Sequence, residues 1–204
     1  VDDTPPTVSI TDPTAGAWVT GTKLVKATAA DAESGILQVT FWASTGTWAA
    51  NPDMAAPFEQ GWNTAGYNGD ATLKVTARNG VGMETTSAVV TVHVDNTPPT
   101  VSLQQPVAGN IISGKTFEFI ADAADAGSGV ASVMFEVQPG CAGAWSTLGT
   151  VAAAPYKLVF DTTALPDGTH CFRATAKDKV GLMTSTQAVQ ADVKNTYTIA
   201  LKAG

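Results

Sequence analysis

A phrase of six identical residues, Thr-Pro-Pro-Thr-Val-Ser, occurs twice in this chain. Asp3-Thr-Pro-Pro-Thr-Val-Ser9 returns as Asn96-Thr-Pro-Pro-Thr-Val-Ser102, and matching landmarks follow each copy in the same order. Asp31-Ala-Glu-Ser-Gly-Ile36 answers to Asp125-Ala-Gly-Ser-Gly-Val130, Pro57-Phe58 to Pro155-Tyr156, and Asn63-Thr64 to Asp161-Thr162. The offset between copies grows from 93 to 99 residues, so the small length changes lie between landmarks, where loops belong. A repeat of this length exceeds a solenoid or propeller unit, and each copy must carry its own core. The expected extents are 1–95 and 96–195, with 196–204 as a strand or the start of a further module.

Each copy reads as all-β. Charged residues make up only 14% of the chain, a low share that suits Ser/Thr-covered strands broken by Gly and Pro turns. In the second copy Phe117, Phe119, Ala121 and Ala123 alternate with more polar neighbours, giving an apolar face at period two. Val25, Ala27 and Ala29 align with the last three of these. Val39 and Phe41 match Val133, Phe135 and Val137; Leu73, Val75 and Ala77 match Phe172, Ala174 and Ala176; Val90, Val92 and Val94 match Val189, Ala191 and Val193. No window shows a capped 3.6-residue period, so helix is expected to be almost absent. Seven short strands in roughly 95 residues point to a two-sheet Greek-key sandwich.

These motifs together resemble the bacterial Ig-like domains: Thr-Pro-Pro-Thr-Val, then Ala-Asp-Ala-x-Ser-Gly before a Val-x-Phe strand, then Pro-(Phe/Tyr) before (Asn/Asp)-Thr. The second copy is the closer match, through Pro155-Tyr-Lys-Leu-Val-Phe-Asp-Thr-Thr163 and Asp167-Gly-Thr-His170. In the first, Asn79 stands where the second has Asp178, and Trp62 where it has Phe160. The resemblance implies tandem Ig-like sandwiches in an extracellular or bacterial cell-surface protein, serving as spacers, adhesion modules or appendages of enzymes. It implies no reaction.

The net charge of -7 argues against nucleic acid, which needs a basic stripe. No run approaches the ~20 apolar residues of a membrane helix, and the start at Val1 reads as a processed protein or an excised fragment. Motifs of nucleophilic, zinc-dependent and nucleotide chemistry do not occur, so the chain reads as non-enzymatic. Cys141 and Cys171 both fall in the second copy. Cys171 alternates out of phase with the inward Phe172, and its natural partner is the turn holding Cys141. Such a bridge would contribute roughly 3 to 4 kcal/mol by the chain-entropy model; two free thiols are the alternative.

Carboxylates gather in predicted loops: Asp2, Asp3, Asp31 and Glu33 for the first copy, and Asp95, Asp122, Asp125 and Asp178 for the second. Side chains so placed could converge on a hard cation such as calcium, which takes six to eight oxygens, although Asp is also an ordinary turn former. The second copy is favoured because Asn79 removes a charge from the first. Trp62 matches a core position, while Trp42, which follows the inward Phe41, and Trp48 could stack on sugar rings of a polysaccharide or simply cover the sandwich. His93 and His170 are read as surface residues.

After the second copy, Asn195-Thr-Tyr-Thr-Ile-Ala-Leu201 echoes the repeated phrase without its prolines. Tyr197, Ile199 and Leu201 alternate with polar or small residues, as in a first strand needing a partner. It is either the start of another module or a donor strand for a neighbour's sheet edge. Head-to-tail addition of that kind does not close and builds filaments from copies of the chain.

Overall fold

Paired prolines delay the first strand of each repeat, because proline has no N–H to give to a ladder. In the computed structural model, which describes residues 1–48 and 51–196, pairing accordingly begins at Thr7 opposite Ala30 and at Thr100 opposite Ala124. The chain divides into two compact units, Val1–Thr97 and Pro98–Gly204.

The first unit contains β1 (Thr7–Asp12), β2 (Trp18–Val19), β3 (Thr22–Ala30), β4 (Ile36–Ala43), β5 (Thr47–Trp48), β6 (Phe58–Asn63), β7 (Gly69–Asn79), β8 (Glu84–Thr86) and β9 (Val90–Val94). One sheet runs β1-β3-β6-β5 and the other β2-β9-β7-β4, with β8 on β7. Every pairing is antiparallel except that of β2 with β9, which is parallel. Val25, Val39, Phe41, Trp62, Leu73, Val75 and Val92 are buried between the sheets, the alternation expected of two packed faces. Trp62 is fully buried and donates its indole N–H to the Thr45 carbonyl at 2.8 Å, so its one polar atom is satisfied.

The second unit contains β10 (Thr100–Gln105), β11 (Ile111–Ile112), β12 (Phe117–Ala124), β13 (Val130–Pro139), β14 (Ser146–Val151), β15 (Tyr156–Phe160), β16 (Gly168–Asp178), β17 (Met183–Ser185) and β18 (Val189–Val193). A 3-10 turn, Thr162–Ala164, is capped by Asp161. Phe119 is the hub of this core, with Phe117, Phe135, Phe160 and Phe172 at centroid distances of 5.0 to 6.1 Å.

The two units are both all-β Ig-like sandwiches, but they place one strand differently. In the first, β5 pairs with β6. In the second, the corresponding β14 pairs with β13, leaving a three-stranded sheet, β10-β12-β15. The sheet that gains β14 runs β11-β18-β16-β13-β14. Among the described residues, β15 therefore ends its sheet.

Candidate functional site

In the first domain, β3 ends at Ala30 and Asp31 opens the turn that follows. Its Oδ1 accepts from the backbone N–H groups of Ser34 (2.9 Å), Glu33 (3.2 Å) and Gly35 (3.2 Å), an Asx turn that leaves Oδ2 facing inward. Asn79, at the end of β7, is fully buried. Its Oδ1 accepts from the N–H of Met83 at 2.8 Å. Its Nδ2 donates to Asp2 Oδ2 (3.0 Å), Asp31 Oδ2 (3.2 Å) and the Thr4 carbonyl (3.3 Å). One amide thus bridges two carboxylates. The Ser34 hydroxyl also donates to Asp2. The N–H of Ser34 holds the Asp31 carboxyl below its ordinary value, and the Ser34 hydroxyl does the same for Asp2. Asp3 and Glu33 are exposed.

The second domain repeats this layout with one atom changed. Asp125 Oδ2 accepts from the N–H of Gly129 at 2.6 Å. Asp178, at the end of β16, is 1% exposed, and its Oδ1 accepts from the N–H groups of Gly181 (2.6 Å) and Leu182 (2.8 Å). Leu182 and Met83 are repeat equivalents, so Asp178 Oδ1 does the work of Asn79 Oδ1. Where Asn79 carries an NH2, Asp178 carries Oδ2. That atom and Asp125 Oδ1 are buried and have no hydrogen-bond donor among the described residues. Carboxylate oxygens of Asp125 and Asp178 lie within 4.8 Å of one another, and Asp95, the third carboxylate expected here, is buried at the end of the first unit. At an effective dielectric near 20, two full charges at this spacing repel by roughly 3 to 4 kcal/mol.

Asp122, the fourth carboxylate expected here, is not in that group. It lies on β12 opposite Ser102 and is exposed, because it follows the inward Ala121 and strand alternation turns it to the outer face.

Cys141 and Cys171 are joined by a disulfide spanning 30 residues. Cys171 sits on the outer face opposite Gln138, and Cys141 occupies the turn after β13, with a left-handed φ of 54°. His170 departs from the sequence reading: it is 2% exposed rather than on the surface. It shares the phase of Phe172 and stacks towards that ring, with Nδ1 donating to the Gly168 carbonyl at 3.0 Å. His93 is partly exposed, paired with Asp70 at 2.6 Å and tilted against the Trp18 ring at 4.9 Å.

Trp42 is 51% exposed beside Lys74 on the outer face. Of the two places expected for Trp48, the structure shows the covering one. The indole packs against Phe41 and stacks on Trp62 at the edge of the core, since β5 turns it towards the strand carrying Trp62. Tyr197, Ile199 and Leu201 lie outside the described residues.

Sequence reasoning overlooked one pair of residues. The Asn96 side chain donates to the carbonyls of Thr64 (2.9 Å) and Tyr67 (2.8 Å) and accepts from the Gly21 N–H (2.7 Å). Asn195 repeats this, donating to the Thr162 carbonyl (2.8 Å) and accepting from the Thr162 hydroxyl (2.8 Å) and the Gly114 N–H (3.3 Å). The signal was the recurring Asn-Thr itself, which is read as a linker until its partners are visible.

The model of the bacterial Ig domain family matches residues 6–75 and 99–174. No curated protein matches the sequence significantly. The fibronectin(III)-like modules of Clostridium thermocellum CbhA superpose with a TM-score of 0.61 at 22% identity, covering 96% of this chain and 100% of that one. A stretch of titin domains superposes at 0.56 and 13% identity, covering 95% of this chain and 66% of that one. At these identities the structural likeness speaks to the fold alone. Among the described residues no helix is long and apolar enough to cross a membrane. Two matched segments, one in each sandwich and together more than half of the chain, place the chain in the bacterial Ig domain family.

Proposed function

We propose that this chain is a non-catalytic spacer and interaction module of a bacterial surface or secreted protein, extending that protein rather than carrying its chemistry. The carrying observation is the lock shared by Asn96 and Asn195. Each domain ends by tying its last strand back to the same buried threonine, Thr64 or Thr162, and to the same glycine, Gly21 or Gly114. A module closed in this way resists fraying from its exit, where termini otherwise loosen first. Single-molecule stretching tests the reading. Two separate unfolding events are expected, each at lower force in Asn96→Ala or Asn195→Ala respectively; no force change in either variant would sink the lock as the carrying feature.

A second reading, assembly by strand addition, is supported by the free edge of β15, whose Val159 is 57% exposed. An unpaired edge is a template for another strand, and the alternating tail from Tyr197 to Leu201 has the pattern of one. Light scattering of the full chain and of a chain ending at 196 decides it: oligomers in both, or in neither, exclude the tail as connector. Polysaccharide binding through Trp42 is weaker, because Trp48 does not offer a second exposed face. Retention on polysaccharide unchanged by Trp42→Ala would remove it.

A further inference from the structure

We propose that the second repeat holds a hard divalent cation, calcium rather than magnesium, between Asp125 and Asp178, and that the Asn79 amide is the built-in replacement for that ion in the first repeat. The first domain shows what this position requires. Asp2 and Asp31 both aim an oxygen at Asn79 Nδ2, whose partial positive charge they share. The second domain keeps the acidic partner at Asp125 and replaces the amide by the Asp178 carboxylate. Two N–H donors become an acceptor, and the buried Asp178 Oδ2 and Asp125 Oδ1 are left without a donor among the described residues. A buried carboxylate oxygen is strongly penalised unless a positive group meets it.

Two kinds of positive partner fit: a proton shared by the carboxylates, or a cation. The hydrogen bonds already made favour the cation: three backbone N–H groups meet these two carboxylates at 2.6 to 2.8 Å, the short lengths of bonds to charged oxygens. The oxygens of Asp125 and Asp178 lie within 4.8 Å of one another, a span that one calcium, with its oxygens at 2.3–2.6 Å, can bridge. Magnesium keeps several of its waters, which a buried set of carboxylates does not accommodate easily. The backbone N–H bonds to Asp178 Oδ1 and Asp125 Oδ2 orient the remaining oxygens before any ion arrives. Such orientation of ligands by surrounding hydrogen bonds is the usual support for a metal site. The inference does not depend on whether the chain acts as a spacer or assembles.

The test is calcium titration of the full chain after chelation, followed by calorimetry and by thermal melting, with magnesium chloride as a parallel arm. Wild type is expected to bind one calcium per chain and to gain several degrees in one melting transition, with magnesium at least tenfold weaker. Asp178→Asn copies the first repeat; it should lose calcium binding and melt at the same temperature with or without the ion. Asn79→Asp should create a second site and make the other transition calcium-dependent. Wild type that takes up no calcium at millimolar concentration would overturn the proposal in favour of a shared proton. So would Asp178→Asn binding as tightly as wild type. A stoichiometry of one in a folded Asn79→Asp chain would overturn the equivalence of the two positions.

Discussion

Arg173 meets Glu136 side on, with Nε to Oε2 at 2.7 Å and Nη2 to Oε1 at 3.0 Å, on adjacent strands β16 and β13. The Thr175 hydroxyl donates to the same carboxylate at 2.9 Å, and the guanidinium lies over the Trp145 ring at 4.3 Å. Bidentate pairing holds the Glu136 carboxyl below its ordinary value, with the Thr175 bond adding to it. At the matching positions the first domain has Trp42 and Lys74 and an exposed indole instead. Removing Arg173 would strand a nearly buried carboxylate. Because Arg173 itself is 28% exposed, the expected loss for Arg173→Ala is about 2 kcal/mol, below the 3–5 of a fully buried pair. Denaturant unfolding should also show Arg173→Met/Glu136→Met recovering most of that loss.

Acid should unfold the first domain through Asp2 and Asp31. Both carboxyls are held below their ordinary 3.8, so their folded forms bind fewer protons than the unfolded chain at mildly acid pH. Their stabilisation is present above 3.8 and is lost as pH falls through the lowered folded values. Ser34→Ala removes the hydroxyl bond to Asp2. Melting the variant at a series of pH values should show its stability declining at higher pH than wild type; coincident curves would count against this role.

Each exit asparagine is expected to contribute individually. Asn96→Ala deletes a buried-side donor and acceptor while leaving the Thr64 and Tyr67 carbonyls to find other partners. A cost of about 1–3 kcal/mol follows from leaving such groups unmet. Asn96→Asp keeps the acceptor facing Gly21 but turns a carboxylate oxygen onto the Thr64 and Tyr67 carbonyls, so chemical denaturation should show it no more stable than Asn96→Ala.

Reduction of Cys141–Cys171 should lower the stability of the second domain alone. Closing 30 residues corresponds to roughly 3 to 4 kcal/mol in the chain-entropy model. Cys141→Ser/Cys171→Ser, melted beside wild type with and without reductant, should give one transition that moves and one that does not.

The alternating apolar positions were legible because strand period and burial are local properties. Val25, Val39, Phe135 and Phe172 could be assigned inward from their neighbours alone, and they are buried. His170 was also legible in principle, standing two residues before Phe172. Its polarity obscured a phase that the strand imposes. Trp48 was not legible, since the choice of β5 to join β6 rather than β4 depends on which sheet edge the loop reaches.

By itself the sequence determined two copies of one all-β module and the inward faces of their strands. These follow from a repeat and a period of two, neither of which needs a partner to be read. Tertiary structure alone decided which carboxylates meet. Asp125 and Asp178 are more than fifty residues apart in sequence and approach only because β12 and β16 end at the same edge of one sandwich, while Asp122, nearer in sequence to Asp125, faces away. It also decided that Asn79, one amide in place of one oxygen, satisfies in the first domain the charges that the second leaves facing each other.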